Sequence, residues 1–116
     1  RVSIKIETGH IKIDVKKATP LGLIVNELTT NTLKYAYPGN NTGEFVIHLK
    51  SLDENSYELI VSDDGIGFPK DFDWRNSDSL GMKLINLLVE NQLRGTVSIE
   101  GDNGTKFLIR FSINET

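Results

Sequence analysis

Residues 45–67 read FVIHLKSLDENSYELIVSDDGIG. Phe45, Ile47 and Leu49 alternate with polar or smaller neighbours, and so do Tyr57, Leu59 and Val61; strict alternation marks a strand with one buried face. Asp53-Glu54-Asn55 between them is turn chemistry. Two strands joined this tightly pair antiparallel, because a parallel pair needs a crossover of a dozen or more residues. The second strand then runs into Asp63-Asp64-Gly65-Ile66-Gly67, a sharp polar turn.

Working outward, the same signals recur. Val2, Ile4 and Ile6 alternate, as do Ile11, Ile13 and Val15, and Gly9-His10 between them predicts an opening hairpin. A helix follows, with Thr19 as its cap and Pro20 at its first position, where the missing N–H is not needed. Its apolar residues are Leu21, Ile24, Val25, Leu28 and Ala36, and Tyr37-Pro38-Gly39 predicts its end. Residues 38–43 form a loop by composition, and residues 63–79 are polar and irregular. A second helix starts at Ser79, carries Leu84, Ile85, Leu87 and Leu88, and stops at Gly95 as a C-cap. Strands over 96–100 and 105–113 close the chain around Gly101-Asp102-Asn103-Gly104, with Phe107, Ile109, Phe111 and Ile113 on one face. The order is ββαββ(loop)αββ. Hairpins dominate, so the expected fold is α/β (α+β): a two-layer α/β sandwich, its sheet mixed and mostly antiparallel, its helices on one face. A doubly wound parallel sheet would need strict alternation of strand and helix, which is absent.

The 116 residues fit one domain, 1–116, and 38% hydrophobic content is enough for a core. The net charge of −3 gives no basic footprint for a nucleic acid. With no cysteine, disulfides and thiolate metal sites are excluded. No run of about 18 apolar residues is present, so no membrane contact is expected in this segment. The chain opens on Arg1 in a strand pattern and without a signal peptide, which suggests a domain excised from a longer protein.

Chemistry concentrates at four places. On the first helix, residues three and four apart lie about 60° and 40° apart around the axis. Glu27, Asn31 and Lys34 therefore share one stripe, with Tyr35 at its edge. A carboxylate and a neutral amide suit the partial coordination of Mg²⁺, which keeps waters and phosphate oxygens as its other ligands. Lysine is a point charge for phosphate, and Glu27 is placed to orient or deprotonate a water or hydroxyl. A solvated helix face with a favourable Glu27/Asn31/Lys34 ladder would carry the same residues. Two asparagines, at 26 and 31, are nonetheless costly in a helix.

At the strand end, the Asp63 carboxylate can accept from an exocyclic amine such as adenine N6, whereas guanine presents an acceptor, O6, at that edge. Gly65 and Gly67 permit positive φ or close ligand approach; a plain Asp-Gly turn has the same composition. A dinucleotide fingerprint fails because Lys70 stands where its third glycine belongs, and an EF-type Ca²⁺ loop lacks its closing Glu. Ser79-Leu80-Gly81 opens the second helix, where free N–H groups suit a phosphate as well as an ordinary Ser cap. Gly104-Thr105 begins the last strand, and Thr105 can bridge Asp63 and a base.

Together these four stretches resemble the catalytic ATP-binding domain of a sensor histidine kinase, of the ATPase superfamily shared with gyrase-type topoisomerases, mismatch-repair ATPases and a heat-shock chaperone (the Bergerat fold). The resemblance covers nearly the whole chain. Residues 20–28 with Asn31 and Lys34 resemble the N box of a subgroup with Glu in that box; Asp63-x-Gly65-x-Gly67 resembles the G1 box; Ser79-Leu80-Gly81 resembles a reduced G2 box. The resemblance implies that Asn31 ligates Mg²⁺ and that Glu27 places a metal-bound or attacking water or assists transfer. It implies that Lys34 contacts phosphate, Tyr35 lies on adenine or ribose, and Asp63 binds adenine N6. Gly65, Gly67 and Gly81 would allow close approach, with Ser79, Leu80 and Thr105 also at the nucleotide. Two departures stand out: Ser79 replaces a usual glycine, and residues 68–80 are short for a lid, with Phe72 and Trp74 both open as its aromatic element. A short lid implies weaker or faster-exchanging nucleotide.

The implied activity is that of a histidine protein kinase catalytic domain using ATP and Mg²⁺. It would donate the γ-phosphate to a histidine on a separate dimerisation domain of the same protein, and be inactive without it. The implied partners are that domain and a response regulator; the implied location is cytoplasmic, with the anchoring of a longer protein open. His10, in the predicted turn, and His48, on a strand, are not credible acceptors. An anti-sigma-type serine kinase, another ATPase of the superfamily and a non-catalytic nucleotide-binding module are the alternatives.

Overall fold

A computed structural model of the chain describes residues 2–7, 15–35, 43–65, 80–100 and 104–112, with side chains for 16–30, 43–65, 81–100 and 104–112. The elements are β1 (Val2–Glu7), α1 (Val15–Tyr35), β2 (Gly43–Ser51), β3 (Ser56–Asp63), α2 (Leu80–Leu87) with a π-helical continuation (Leu88–Leu93), β4 (Thr96–Glu100) and β5 (Thr105–Ser112). They build one five-stranded sheet in the order β1-β2-β3-β5-β4. β2–β3, β3–β5 and β4–β5 are antiparallel, as the hairpin reading requires. β1 joins the edge parallel to β2, pairing Val2 with Gly43 through Glu7 with His48.

The expected opening hairpin is corrected at Val15, which begins α1 and belongs to no strand; Ile11 and Ile13 lie outside the described residues. The helix therefore starts five residues before Pro20, so Thr19 is not its cap and Pro20 is not its first residue. Proline inside a helix forfeits one bond to the carbonyl four residues back. What offsets that loss is tertiary: Lys17, only 3% exposed, donates from Nζ to the Leu93 carbonyl at 2.9 Å and to the Gln92 carbonyl at 3.4 Å. The extra turn is thereby fastened to the far end of the second helix, and Lys16, Lys17 and Ala18 are good helix formers.

The core lies between the helices and one sheet face. Leu21, Ile24 and Leu28 of α1 are buried at helical spacing. They meet Met82, Ile85, Leu88, Val89 and Leu93 of the second helix, and Phe45, Ile47, Leu59, Val61, Phe107, Ile109 and Phe111 of the sheet. Tyr57 and Phe111, opposed across β3 and β5, pack with ring centroids 5.8 Å apart. The turn at Asp53-Glu54-Asn55 forms as read: Asn55 N–H donates to Asp53 Oδ1 at 2.8 Å, and Leu52 N–H to the Ser56 carbonyl at 2.9 Å.

The second helix does not end on Gly95 as a left-handed cap. The left-handed residue is Arg94, at φ 54° and ψ 47°, and Gly95 N–H donates to the Val89 carbonyl at 2.9 Å. Gly95 is required for another reason: a Cβ there would stand 2.1 Å from the Arg110 carbonyl oxygen on β5.

The opposite sheet face carries a row of charges in register, Lys50, Glu58 and Arg110. Glu58 is 3% exposed; it accepts from Arg110 Nε at 2.6 Å and pairs with Lys50 Nζ at 3.3 Å. The hydrogen bond from Arg110 holds its carboxyl below the ordinary carboxylate range, against the opposing effect of burial. A depressed folded pKa means stabilisation present above the unfolded pKa and lost as pH falls through the folded one. Glu58→Gln should cost about 1–2 kcal/mol at pH 7, at the low end for a buried charge because both cations are partly solvated. It should also flatten the acid limb of the stability curve. Urea denaturation from pH 7 to pH 3 checks this: an unchanged acid limb would show that Glu58 stabilises nothing through its charge.

Candidate functional site

The strand-end half of the site is built by β3 and β5. Asp63 is the last residue of β3 and shares its sheet face with Tyr57, Leu59 and Val61, so its side chain belongs to the helix-covered face. In register it stands between Phe45, which is fully buried, and Thr105. Its carboxylate accepts the Gly65 N–H at 2.9 Å and also the Thr105 N–H. Burial pushes the Asp63 carboxyl above its ordinary range; the two N–H donors work the other way and are outweighed, and the Asp64 charge adds to the upward shift. The group is thus fixed in direction, half-desolvated and left with acceptor capacity, which suits a ligand that donates from a neutral amine.

Its neighbours hold this geometry. Asp64 accepts the Glu44 N–H at 2.9 Å, tying the turn after β3 to the start of β2. Gly104 has φ 88°, and a Cβ there would lie 2.0 Å from the Asp63 carbonyl oxygen and 2.9 Å from Asp64 Cα. Both conditions demand glycine. A concave groove touches Asp63, Gly104 and Thr105, but it also reaches Val46, Ser62 and Lys106, which lie on the sheet's other face. Only its Asp63 end belongs to the candidate site.

The second half is built by the two helices. Glu27 of α1 lies against the first turn of α2: a Cβ on Gly81 would come within 3.0 Å of Glu27 Oε1 and 3.1 Å of its Cδ. With no side chain at 81, Glu27 packs directly on the α2 backbone; a Cβ there would make it give by a few tenths of an ångström. Asn31 and Lys34 follow Glu27 by one and two turns on α1, with Tyr35 its last residue; Leu80 is the first residue of α2. The side chains of Asn31, Lys34, Tyr35 and Leu80 lie outside those described. Gly67, Ser79, Phe72, Trp74 and His10 lie outside the described residues altogether, while His48 sits on β2 as read.

Among the described residues no three of His, Cys, Asp and Glu converge on a metal position. Among the described residues no helix is long and apolar enough to cross a membrane.

The structure thus places the Asp63 carboxylate at the end of β3, with the Gly65 N–H on it, and Glu27 of α1 against Gly81 at the start of α2. The model of the histidine kinase-, DNA gyrase B- and HSP90-like ATPases matches residues 16–115, and the chain belongs to that family. The chain is 28% identical over 89 residues to the blue-light-activated histidine kinase 2 of Erythrobacter litoralis, covering 77% of this chain and 26% of that protein. It is 29% identical over 104 residues to the sensor histidine kinase PdtaS of Mycobacterium tuberculosis, covering 87% and 21%. The solved Erythrobacter litoralis EL346 blue-light activated histidine kinase superposes with a TM-score of 0.89 at 26% identity, over 97% of this chain and 35% of that one. This chain thus spans about a quarter or less of the curated relatives' length, and it resembles the ATP-binding domain of sensor histidine kinases.

One residue escaped the sequence: Lys17 carries no motif, and its role depends on a contact 76 positions away. Gly104 was read with Thr105 as the turn that begins the last strand, but its positive φ and its packing against the Asp63 carbonyl were not legible there.

Proposed function

We propose that residues 1–116 form a single histidine kinase-like domain of a longer protein, which binds Mg·ATP and donates the γ-phosphate to a histidine on a separate helical dimerisation domain of that protein. The observation that carries the reading is the Asp63 carboxylate, held by the Gly65 and Thr105 N–H groups at the end of a half-buried strand. That carboxylate accepts adenine N6–H and disfavours guanine. Thr105, Gly65 and Gly67 line the base, Tyr35 stacks on base or ribose, and Lys34, with the α2 start at Ser79, Leu80 and Gly81, meets the phosphates. Glu27 and Asn31 would hold the Mg²⁺, which would neutralise phosphate charge.

Transfer is then a matter of positioning and charge neutralisation. An imidazole nitrogen lone pair forms the new N–P bond, the bond from the γ-phosphorus to the β–γ bridging oxygen breaks, and ADP leaves with that electron pair. Glu27, beside the α2 start, orients the reacting group. The phosphohistidine then serves a response regulator, in the cytoplasm. Without the acceptor domain the chain binds nucleotide and transfers nothing.

The test supplies the chain with γ-labelled ATP and a helical histidine-bearing domain. Acid-labile phosphohistidine, absent when the acceptor is omitted, is expected. Acid-stable phosphoserine on a regulatory partner would replace this reading with an anti-sigma-type serine kinase. Tight ATP binding with no transfer to either would leave a nucleotide-binding module.

A further inference from the structure

The second helix meets α1 at two places. At its start, Gly81 lies against Glu27; at its end, the Gln92 and Leu93 carbonyls accept from Lys17. The two helices therefore run antiparallel, in close contact at one end and hydrogen-bonded at the other. On α1 the contacting residues are ten apart, about 15 Å along the axis. On the second helix they are eleven and twelve apart, and the π-helical turn over Leu88–Leu93 makes up the difference, since a π turn takes in more residues than an α turn over the same length. A helix C-terminus favours a cation, and here the cation is almost wholly buried.

We propose that Lys17 is a positioning residue for the nucleotide site. By capping the π-helical end it fixes the axial setting of α2 on α1, and so the place of the Gly81 backbone relative to Glu27. Lys17 touches no nucleotide; it acts through the helix it holds. The inference rests on the reading of Glu27 and Gly81 as phosphate-end residues, but its mechanical part does not.

Three variants of the chain separate the possibilities. Lys17→Met removes the donor, Lys17→Arg keeps it, and Glu58→Gln destabilises the opposite sheet face. Hydrogen exchange reads the α2 start directly, at the Leu84 and Ile85 amides, with no nucleotide present. Under native conditions Lys17→Met should speed exchange there about tenfold relative to Glu58→Gln, with Lys17→Arg near wild type. Equal exchange in Lys17→Met and Glu58→Gln would overturn the proposal whatever the ligand. ATP titration of the folded chain should then show about fivefold to tenfold weaker binding in Lys17→Met, restored in Lys17→Arg and unchanged in Glu58→Gln. Affinity unchanged in Lys17→Met would overturn the link to the site. A wild-type chain that binds no ATP would sink the nucleotide reading while the exchange result still decides the clamp. If Lys17→Met does not fold, Lys17→Gln, which reaches one carbonyl at most, takes its place in both measurements.

Discussion

Gly104→Ala should weaken nucleotide binding more than tenfold while leaving most of the sheet intact. Two independent costs meet at this residue. Its φ of 88° lies where an L side chain is strained, at about 1–3 kcal/mol. The added Cβ would also stand 2.0 Å from the Asp63 carbonyl oxygen, and backbone cannot swing aside as a flexible side chain can. Overpacking of this kind adds about 1–3 kcal/mol. The sum is a large part of the stability of an ordinary domain, about 5–15 kcal/mol. The relief available is to push the end of β3 away from β5, which breaks the Thr105 N–H bond to Asp63. Gly95→Ala is the matched control. Its Cβ would stand 2.1 Å from the Arg110 carbonyl oxygen, without the positive φ, so the steric part of the loss is expected, but at the other end of β5. Denaturant midpoints should fall in both. ATP affinity of the folded fraction, measured well below each midpoint, should fall more than tenfold only for Gly104→Ala. Equal affinities in the two variants would show that Gly104 serves the fold and not the position of Asp63.

What the sequence disclosed follows from which interactions are local. The β2–β3 hairpin was legible because one face is buried. A period of two with Asp53-Glu54-Asn55 between leaves few alternatives, and the Asn55 N–H to Asp53 Oδ1 bond is itself local. The place of Asp63 at a strand end was legible because the alternation of Tyr57, Leu59 and Val61 runs into a carboxylate and then a glycine, a pattern in nearby residues. The partner of β1 was not: Val2, Ile4 and Ile6 alternate identically whether the next strand is antiparallel or β1 lies parallel to β2. Nor was the start of α1, because local chemistry favours Thr19-Pro20 as a beginning and only the Leu93 carbonyl, distant in sequence, rewards the earlier turn. Gly95 was marked for a real reason, but the wrong one, since the constraint comes from β5 and not from a left-handed cap. Alternation placed Glu58 on the polar face of β3 without revealing that Lys50 and Arg110 bury it.

Asp63→Asn should weaken ATP binding about 100-fold and leave the chain folded. An asparagine keeps the shape but turns one acceptor oxygen into a donor. If its amide oxygen stays with the Gly65 and Thr105 N–H groups, its NH₂ meets the adenine N6–H donor; if it flips, the NH₂ faces the backbone N–H groups instead. Either way one buried polar contact is lost along with a charge, worth about 1.5–3 kcal/mol. The pH dependence gives a sharper signature, because Asp63 acts on stability and on affinity with opposite signs. Burial raises its folded pKa above the unfolded value, so the ionised carboxylate is a cost to the native state. Its contribution to stability is fully present below the unfolded pKa and is lost as pH rises through the folded one. Nucleotide binding requires the ionised acceptor and therefore weakens as pH falls through that same raised pKa. By linkage, bound nucleotide must pull the Asp63 pKa back down. The measurement is the difference between wild type and Asp63→Asn, which cancels the titration of Glu58 and of the ATP phosphates. On acidification from pH 7, the affinity advantage of wild type should shrink while its stability relative to the variant rises. Parallel affinity profiles for the two proteins would remove Asp63 from the base contact, and parallel stability profiles would show that burial does not raise its carboxyl in the folded chain.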